Sequence, residues 1–282
     1  MNLPPLDPRM SRIAFYVSDS TGITAHTLGQ SLLAQFENLQ IEHITVPFVD
    51  NPQKVQAVIE RINAATDSQG GLPALVFSTL VNDELRAQLA QSRGYMVDIL
   101  GTFLKPLEQV LAVHSSYSIG RAHGNATDDG YKNRINAVNF ALENDDGARL
   151  NQYGNADVIL VGVSRCGKTP TCLYLALQFG VYAANYPFTE EDIKELELPK
   201  GLQTHKAKLF GLTIDAERLA SIRHERKPGS KYSLLKQCDY EIREAVAMFR
   251  RHGIPFLDTT HFSIEEISTR IISQLGIDRQ RK

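Results

Sequence analysis

One segment near the middle of the chain constrains the fold more than any other. The apolar run Val158–Val161 leads into Gly162–Thr169, which reads GVSRCGKT and matches the pattern G-x-x-x-x-G-K-[ST]. A helix-like segment follows and stops at Gly180, a residue type that is common at helix C-termini. Strand, glycine-containing loop and helix in this order predict a phosphate-binding loop within an α/β fold.

The residue types of this loop suit a polyphosphate. Backbone N–H groups at a helix N-terminus bind anions, and Gly162 and Gly167 permit the tight backbone path. Lys168 is predicted to reach the terminal phosphates, and the Thr169 hydroxyl is predicted to ligate Mg²⁺. We predict nucleotide contacts for the whole loop: Gly162, Val163, Ser164, Arg165, Cys166, Gly167, Lys168 and Thr169. The alternative is an ordinary glycine-containing turn between a strand and a helix.

Composition argues against several classes of protein. The 282 residues suffice for two domains, and 43% hydrophobic with 22% charged residues is typical of a soluble globular protein. A formal net charge of −2 argues against a broad nucleic-acid or membrane surface. No apolar run reaches the length of a membrane span, and the first residues lack the pattern of a signal peptide. The three cysteines are too few for a disulfide framework and favour a reducing cytoplasm.

A second strand–loop–helix pattern lies near the N-terminus. The apolar strand Ile13–Val17 leads into Ser18–Gly22 (SDSTG), and a helix is expected from Thr24. This loop could hold a phosphate or a phosphorylated side chain through N–H and hydroxyl groups. It lacks the lysine and the second glycine of the central loop, and a helix start capped by Ser or Thr explains its hydroxyls equally well.

Strands and helices alternate through the rest of the first half. Further strands are predicted at Ile44–Val49, Ala74–Thr79 and Tyr95–Ile99, with helices between them. Such alternation indicates a parallel sheet, whose ligands bind beyond the carboxyl ends of the strands. We expect Ser18–Gly22 and Ser78–Thr79 at that edge.

The connection to the second half is less regular. The polar stretch Ser115–Asp129 predicts a loop, in which Arg121 and His123 stand out. A solvated side chain is the simpler interpretation of this histidine. Asp145–Gly147 (DDG) predicts an exposed turn, although two carboxylates could also bind a metal ion.

Strand–helix alternation resumes after the central loop. We place the domain boundary near 150–155, between an N-terminal α/β domain at 1–152 and a kinase-like phosphate-loop domain at 153–282. In the second domain Asp215 follows an apolar strand, the position that supplies a second Mg²⁺ contact in phosphate-loop enzymes. The alternative role for Asp215 is to cap the next helix.

The helix after Asp215 is rich in basic residues. They are Arg218, Arg223 and Arg226, with Lys227 just after them. Arginines at this place could fold over a transferred phosphoryl group and bind its oxygens. A solvated helix face explains the same pattern equally well.

Segments spread over nearly the whole chain resemble one protein family. They are Phe15–Phe36, Asp145–Gly147, Val161–Phe188, Lys208–Arg226 and Ile254–Thr269. In this order they resemble the bacterial phosphoenolpyruvate synthase regulatory proteins, which are relatives of the plant pyruvate, phosphate dikinase regulatory protein. The set is far more specific than the phosphate loop alone.

The resemblance implies a bifunctional enzyme. Family members transfer a phosphoryl group from ADP to a threonine of their target enzyme, which inactivates it. They also remove this phosphate with inorganic phosphate and release pyrophosphate. The resemblance therefore implies an ADP-dependent serine/threonine kinase and phosphate-dependent phosphorylase, with phosphoenolpyruvate synthase as protein partner and the ADP site on Gly162–Thr169.

Roles for individual residues follow from the loop and the resemblance together. Lys168 and Thr169 with Mg²⁺ would clamp the phosphates, and Arg165 and Arg223 would add positive charge. Asp19 is a candidate for activating the threonine hydroxyl or the attacking phosphate. We predict Lys168, Asp19 and Arg165 as catalytic residues.

Other functions remain compatible with the sequence. The same chemistry could act on pyruvate, phosphate dikinase, and the second half alone would fit a small-molecule kinase of the phosphate-loop class. A non-enzymatic alternative is a nucleotide-dependent protein that inhibits its partner by contact. The sequence leaves a homo-oligomer open.

Overall fold

The computed structural model describes residues 11–37, 39–116 and 128–277, so Arg121 and His123 lie outside the described residues. The chain divides into two compact units, 1–124 and 125–282. Each described unit contains a four-stranded parallel sheet, which confirms the predicted α/β class. The division falls earlier than the predicted boundary at 152/153, because the helix Asp128–Glu143 packs against elements of the second unit.

The described part of the first unit alternates strictly between strands and helices. In chain order its elements are β1 (Arg12–Val17), α1 (Ile23–Leu33), β2 (Ile41–Val46), α2 (Pro52–Ser68), β3 (Leu75–Ser78), α3 (Asp83–Leu89), β4 (Tyr95–Asp98) and α4 (Ile99–Leu111). The strand order is β2-β1-β3-β4, and all neighbours are parallel. Apolar side chains cover both faces of this sheet and form two clusters.

The predicted position of β2 is wrong. We expected a strand at Ile44–Val49, but the paired residues are Ile41–Val46. Pro47 has no backbone N–H to donate to a neighbouring strand, and Phe48 adopts a positive φ of 57°. Both features end the strand, and the apolar run PFV belongs to the loop that follows it.

The described part of the second unit begins with α5 (Asp128–Glu143). The elements that follow are β5 (Val158–Gly162), α6 (Lys168–Phe179), β6 (Ala183–Pro187), α7 (Glu190–Glu195), α8 (Lys200–Gln203), β7 (Leu209–Thr213), α9 (Ala216–Arg226), α10 (Leu235–His252), β8 (Phe256–Asp258) and α11 (Ile264–Leu275). Short 3-10 turns lie at Asp145–Gly147, Leu150–Asn155, Lys206–Lys208 and Lys231–Ser233.

The second sheet has the order β6-β5-β7-β8, which repeats the order of the first. In each sheet the first strand lies inside, and the chain moves to one side of it before returning to the other. The loops after β1 and β5 therefore occupy corresponding positions, where the chain changes direction across the sheet. In parallel sheets this position forms a crevice that commonly binds ligands.

Burial explains why β5 is central. All five of its residues are buried, as expected for a strand covered by helices on both faces. The helices around it follow local signals: a capping box of Ser263 and Glu266 begins α11, and Gly180 ends α6 in a left-handed conformation. Among the described residues, no helix is both long and apolar enough to cross a membrane.

Candidate active site

The loop between β5 and α6 has the backbone shape that its glycines predict. Gly162 has a φ of 150°, and a Cβ atom placed there would lie 2.3 Å from the carbonyl oxygen of Leu212 on β7. Glycine is therefore required where the loop leaves the sheet. Arg165 at the loop tip has a φ of 76°, which is uncommon for a non-glycine residue and often marks a functional site.

Lys168 lies beneath this loop and is only 4% exposed. Its ammonium group donates hydrogen bonds to the carbonyl oxygens of Val163 at 2.8 Å and Gly162 at 3.2 Å. These bonds hold the positive charge at the start of α6, where the helix N–H groups also favour an anion.

A cavity of about 530 Å³ opens over the loop. Its lining consists of Asp145, Asp146, Ser164, Arg165, Gly167, Lys168, Thr169, Pro170, Ile222 and Arg226. Five of the eight predicted nucleotide-contacting residues thus face one cavity. Val163 and Cys166 are buried, and burial raises the pKa of the Cys166 thiol. This thiol is protonated and unreactive near neutral pH, which favours a packing role.

The site contains a carboxylate that the sequence interpretation treated as part of a turn. The Thr169 hydroxyl donates to Asp145 Oδ1 at 2.8 Å, and Asn185 Nδ2 donates to the same oxygen at 2.5 Å. Asn185 lies on β6 and is fully buried, and its Oδ1 accepts the N–H of Asp146 at 3.2 Å. Asp146 is exposed, as predicted, but Asp145 is fixed against the phosphate loop.

Asp215 takes the alternative role that the sequence allowed. Its Oδ1 accepts the N–H groups of Glu217 at 2.9 Å and Arg218 at 3.0 Å and so caps α9. Asp215 is exposed and does not line the cavity over the loop. The carboxylate that contacts Thr169 is that of Asp145.

We predicted that Arg223 adds charge at the phosphates, but its side chain does not line the cavity over the loop. It is completely buried and donates to Glu241 Oε2 at 2.7 Å and to the carbonyl oxygen of Ser164 at 3.1 Å. Its guanidinium also lies 4.0 Å from the ring centre of Tyr232, whose hydroxyl bonds Ser164 Oγ at 2.9 Å. Arg223 therefore stabilises the phosphate loop through its bond to the Ser164 carbonyl oxygen.

Asp19 belongs to the first unit and has a structural contact there. Its carboxylate accepts the Val81 N–H at 2.7 Å and is nearly buried, so it joins the loops that follow β1 and β3. Of the two interpretations left open for Ser18–Gly22, the Ser or Thr cap of α1 is not the one observed, because Gly22 precedes the helix without a side-chain cap. A proton-transfer role for Asp19 stays a prediction.

The oxygen atoms near Thr169 suit Mg²⁺. Among the described residues, no group of three or more His, Cys, Asp or Glu side chains could hold a metal ion. Mg²⁺ bound with a nucleotide does not need such a group, because it commonly takes one or two carboxylates together with substrate phosphates and water. The Thr169 hydroxyl and the Asp145 carboxylate are hard oxygen donors that line the same cavity.

The comparison with known families decides the classification. Residues 14–272 match the model of the family described as kinase/pyrophosphorylase. The chain belongs to the kinase/pyrophosphorylase family.

Individual relatives of this family are similar over nearly the full length. The chain is 56% identical over 274 residues to a protein of Pseudomonas aeruginosa UCBPP-PA14, covering 97% of this chain and all of the relative. Proteins of Pseudomonas putida F1 and Pseudomonas savastanoi pv. phaseolicola 1448A are 56% identical over 273 residues, with the same coverage. All three are named, provisionally, as phosphoenolpyruvate synthase regulatory proteins. The resemblance found in the sequence is thereby confirmed.

Proposed function

We propose that this protein regulates phosphoenolpyruvate synthase by transferring a phosphoryl group to and from one of its threonines. ADP would be the donor, and inorganic phosphate would remove the group as pyrophosphate. The membership of the kinase/pyrophosphorylase family and the relatives' names support this proposal. The observation that carries it is the cavity over the phosphate loop, which gathers Lys168, Thr169 and Asp145.

In the forward direction the threonine oxygen attacks the β-phosphorus of ADP. A P–O bond forms to threonine, the bond to AMP breaks, and the threonine proton leaves. The loop N–H groups and Lys168 would hold the phosphates in place, and Arg165 would add positive charge at the loop tip. Catalysis of phosphoryl transfer depends mainly on such positioning and charge stabilisation.

In the reverse direction an oxygen of inorganic phosphate attacks the phosphorus of phosphothreonine. The bond to the threonine oxygen breaks, this oxygen takes the proton of the hydrogen phosphate, and pyrophosphate leaves. We propose Asp19 as the candidate that moves the proton in either direction. An Asp19→Asn variant with unchanged transfer rates and unchanged ADP affinity would remove Asp19 from the mechanism.

We propose that Thr169 and Asp145 together hold Mg²⁺, and that Asp145 takes the role first predicted for Asp215. When bound there, Mg²⁺ would offset the negative charge of the phosphates. Asn185 would keep the Asp145 carboxylate in place, because its amide donates to the oxygen that also receives the Thr169 hydroxyl. Asp145 is thus a ligand candidate and Asn185 a positioning residue.

Mass spectrometry of the partner tests the proposed function. Purified phosphoenolpyruvate synthase is incubated with this protein and ADP, and its peptides are searched for phosphothreonine. Pyruvate, phosphate dikinase is treated in parallel. We expect one phosphothreonine on the synthase. Inhibition without a covalent phosphate would indicate a contact inhibitor, and modification of the dikinase alone would change the target.

A cytoplasmic location is part of the same proposal. Cys166, Cys172 and Cys238 are all free thiols and all buried. Free thiols persist where the compartment is reducing.

A further inference from the structure

A second cavity of about 470 Å³ lies beside the phosphate loop. It is lined by Ser164, Arg165, Arg226, Lys227 and Tyr232, and we call it the cationic pocket. Three of these residues, Ser164, Arg165 and Arg226, also line the cavity over the loop. The two cavities are therefore adjoining parts of one site.

The two cavities differ in charge. Asp145 and Asp146 line the cavity over the loop, whereas no carboxylate of the described residues lines the cationic pocket. Its three cations, Arg165, Arg226 and Lys227, form no side-chain ion pair or hydrogen bond with any residue in the described parts of the chain. Unpaired cations that line one concave surface favour an anion.

Hydrogen bonds hold the wall of the cationic pocket in place. The buried Arg223 binds the carbonyl oxygens of Ser164 and Tyr232, both at 3.1 Å. At the far side the Ser230 hydroxyl donates to the carbonyl oxygen of Lys227 at 2.9 Å. The segment that carries the cations is thus tied to the phosphate loop by the two partly buried bonds of Arg223, which preorganises the pocket.

The structure also separates the four basic residues of this region by role. Arg223 is buried, and the Arg218 guanidinium donates to the carbonyl oxygen of Thr260 at 2.5 Å. Only Arg226 and Lys227 of the four line the cationic pocket. Arg226 and Lys227 are thus the two of these four side chains that could reach a phosphate group in the pocket.

We propose that the cationic pocket binds a phosphate dianion next to the phosphate loop. The ligand is inorganic phosphate or the phosphate group of a phosphothreonine, which present the same oxygens. This inference rests on the proposed function, in which two phosphate groups must meet before pyrophosphate can form. Two dianions repel each other, and the cations of the pocket together with Lys168 offset this repulsion.

Binding measurements on the full-length protein test the pocket. Inorganic phosphate, O-phosphothreonine and ADP are titrated separately by calorimetry into the wild type and the Arg226→Ala/Lys227→Ala variant. The matched control is Lys231→Ala/Lys236→Ala, which removes the same charge from exposed lysines outside both cavities. Thermal melting checks that both variants remain folded.

We expect the pocket variant to lose about tenfold or more in phosphate affinity, because charge-assisted hydrogen bonds are lost. Its ADP affinity should fall by less than its phosphate affinity, because Lys227 lines the cationic pocket alone whereas Arg226 lines both cavities. The control should match the wild type. A loss for inorganic phosphate alone, or for O-phosphothreonine alone, identifies which source the pocket takes. A loss for both indicates a pocket that accepts either.

Other outcomes would overturn the proposal. They are unchanged phosphate affinity in the pocket variant, an equal loss of phosphate and ADP affinity, and a wild type that binds no phosphate. A wild type that binds phosphate through the pocket but no ADP would instead contradict the proposed function and leave the pocket standing. The two failures are therefore distinguishable.

Discussion

Replacing the buried Arg223 by methionine should destabilise the second unit strongly. Arg223 is fully buried, and the side chain of its partner Glu241 is 11% exposed. Within the described residues, the substitution leaves this carboxylate with one side-chain donor, Gln237, at 2.9 Å. Removing one partner of a buried ion pair typically costs about 3–5 kcal/mol, because the other charge stays buried without compensation.

Urea and thermal unfolding measure this loss. For a unit of this size about 1 kcal/mol lowers the melting temperature by about 2–4 °C, so a decrease of about 6–20 °C is expected. The matched control is Arg243→Met on α10, whose pair with Asp239 is exposed, with side-chain exposures of 68% and 51%. Exposed pairs contribute about 0–1 kcal/mol, so the control should melt close to the wild type.

A double variant separates the stabilising role of Arg223 from its role at the loop. Arg223→Met/Glu241→Met removes both buried charges and should recover most of the lost stability. Its ADP affinity should be about tenfold below that of the wild type, because the carbonyl oxygen of Ser164 has lost its hydrogen-bond donor. A single variant that loses less than about 1 kcal/mol, or a double variant with full ADP affinity, would refute the reasoning.

Further predictions concern the loop, the metal site and alkaline pH. Gly162→Ala should lower the free energy of unfolding in urea by several kcal/mol and abolish ADP binding. Gly154→Ala is the control and should behave like the wild type, because a Cβ atom there would lie 3.9 Å from the nearest atom. Asp145→Asn should weaken ADP binding about tenfold with Mg²⁺ but less than twofold in EDTA, by calorimetry. Asp215→Ala should lose only a helix cap of about 1 kcal/mol and leave ADP binding unchanged. Burial and a neighbouring carboxylate raise the pKa of Tyr186 from 10.0 to about 12. The neutral form of Tyr186 therefore stabilises the fold below pH 10, and this contribution is lost as the pH rises from 10 to 12. In Tyr186→Phe the free energy of unfolding should depend less on pH in this range.

The elements that the sequence predicted well are those with local signals. Helix α11 carries such signals at both ends, because Ser263 and Glu266 form a capping box and Gly276 ends the helix. The strand before the phosphate loop is a continuous apolar run, as a fully buried parallel strand requires. Strand β2 was misplaced because its polar, exposed residues give a weaker pattern than the apolar loop after Val46.

The candidate site was predictable only in part, because some of its contacts join residues that are far apart in the sequence. The phosphate loop is contiguous in sequence, so residue type and spacing identify it. The contact between Thr169 and Asp145 joins residues 24 positions apart and depends on Asn185 of another strand. For Arg223 the sequence left a phosphate contact and a solvated helix face open. Its buried pairing with Glu241 was not foreseen, because this partner lies 18 residues further along the chain.

The most direct test of the proposed chemistry follows one phosphate through both directions. Phosphoenolpyruvate synthase is incubated with this protein and ADP labelled at the β-phosphorus, and unlabelled inorganic phosphate is then added. We predict label on a threonine of the synthase and its later release as labelled pyrophosphate. The Lys168→Ala variant should do neither. Full labelling by that variant, or transfer from ATP to a small metabolite in place of the synthase, would contradict the account.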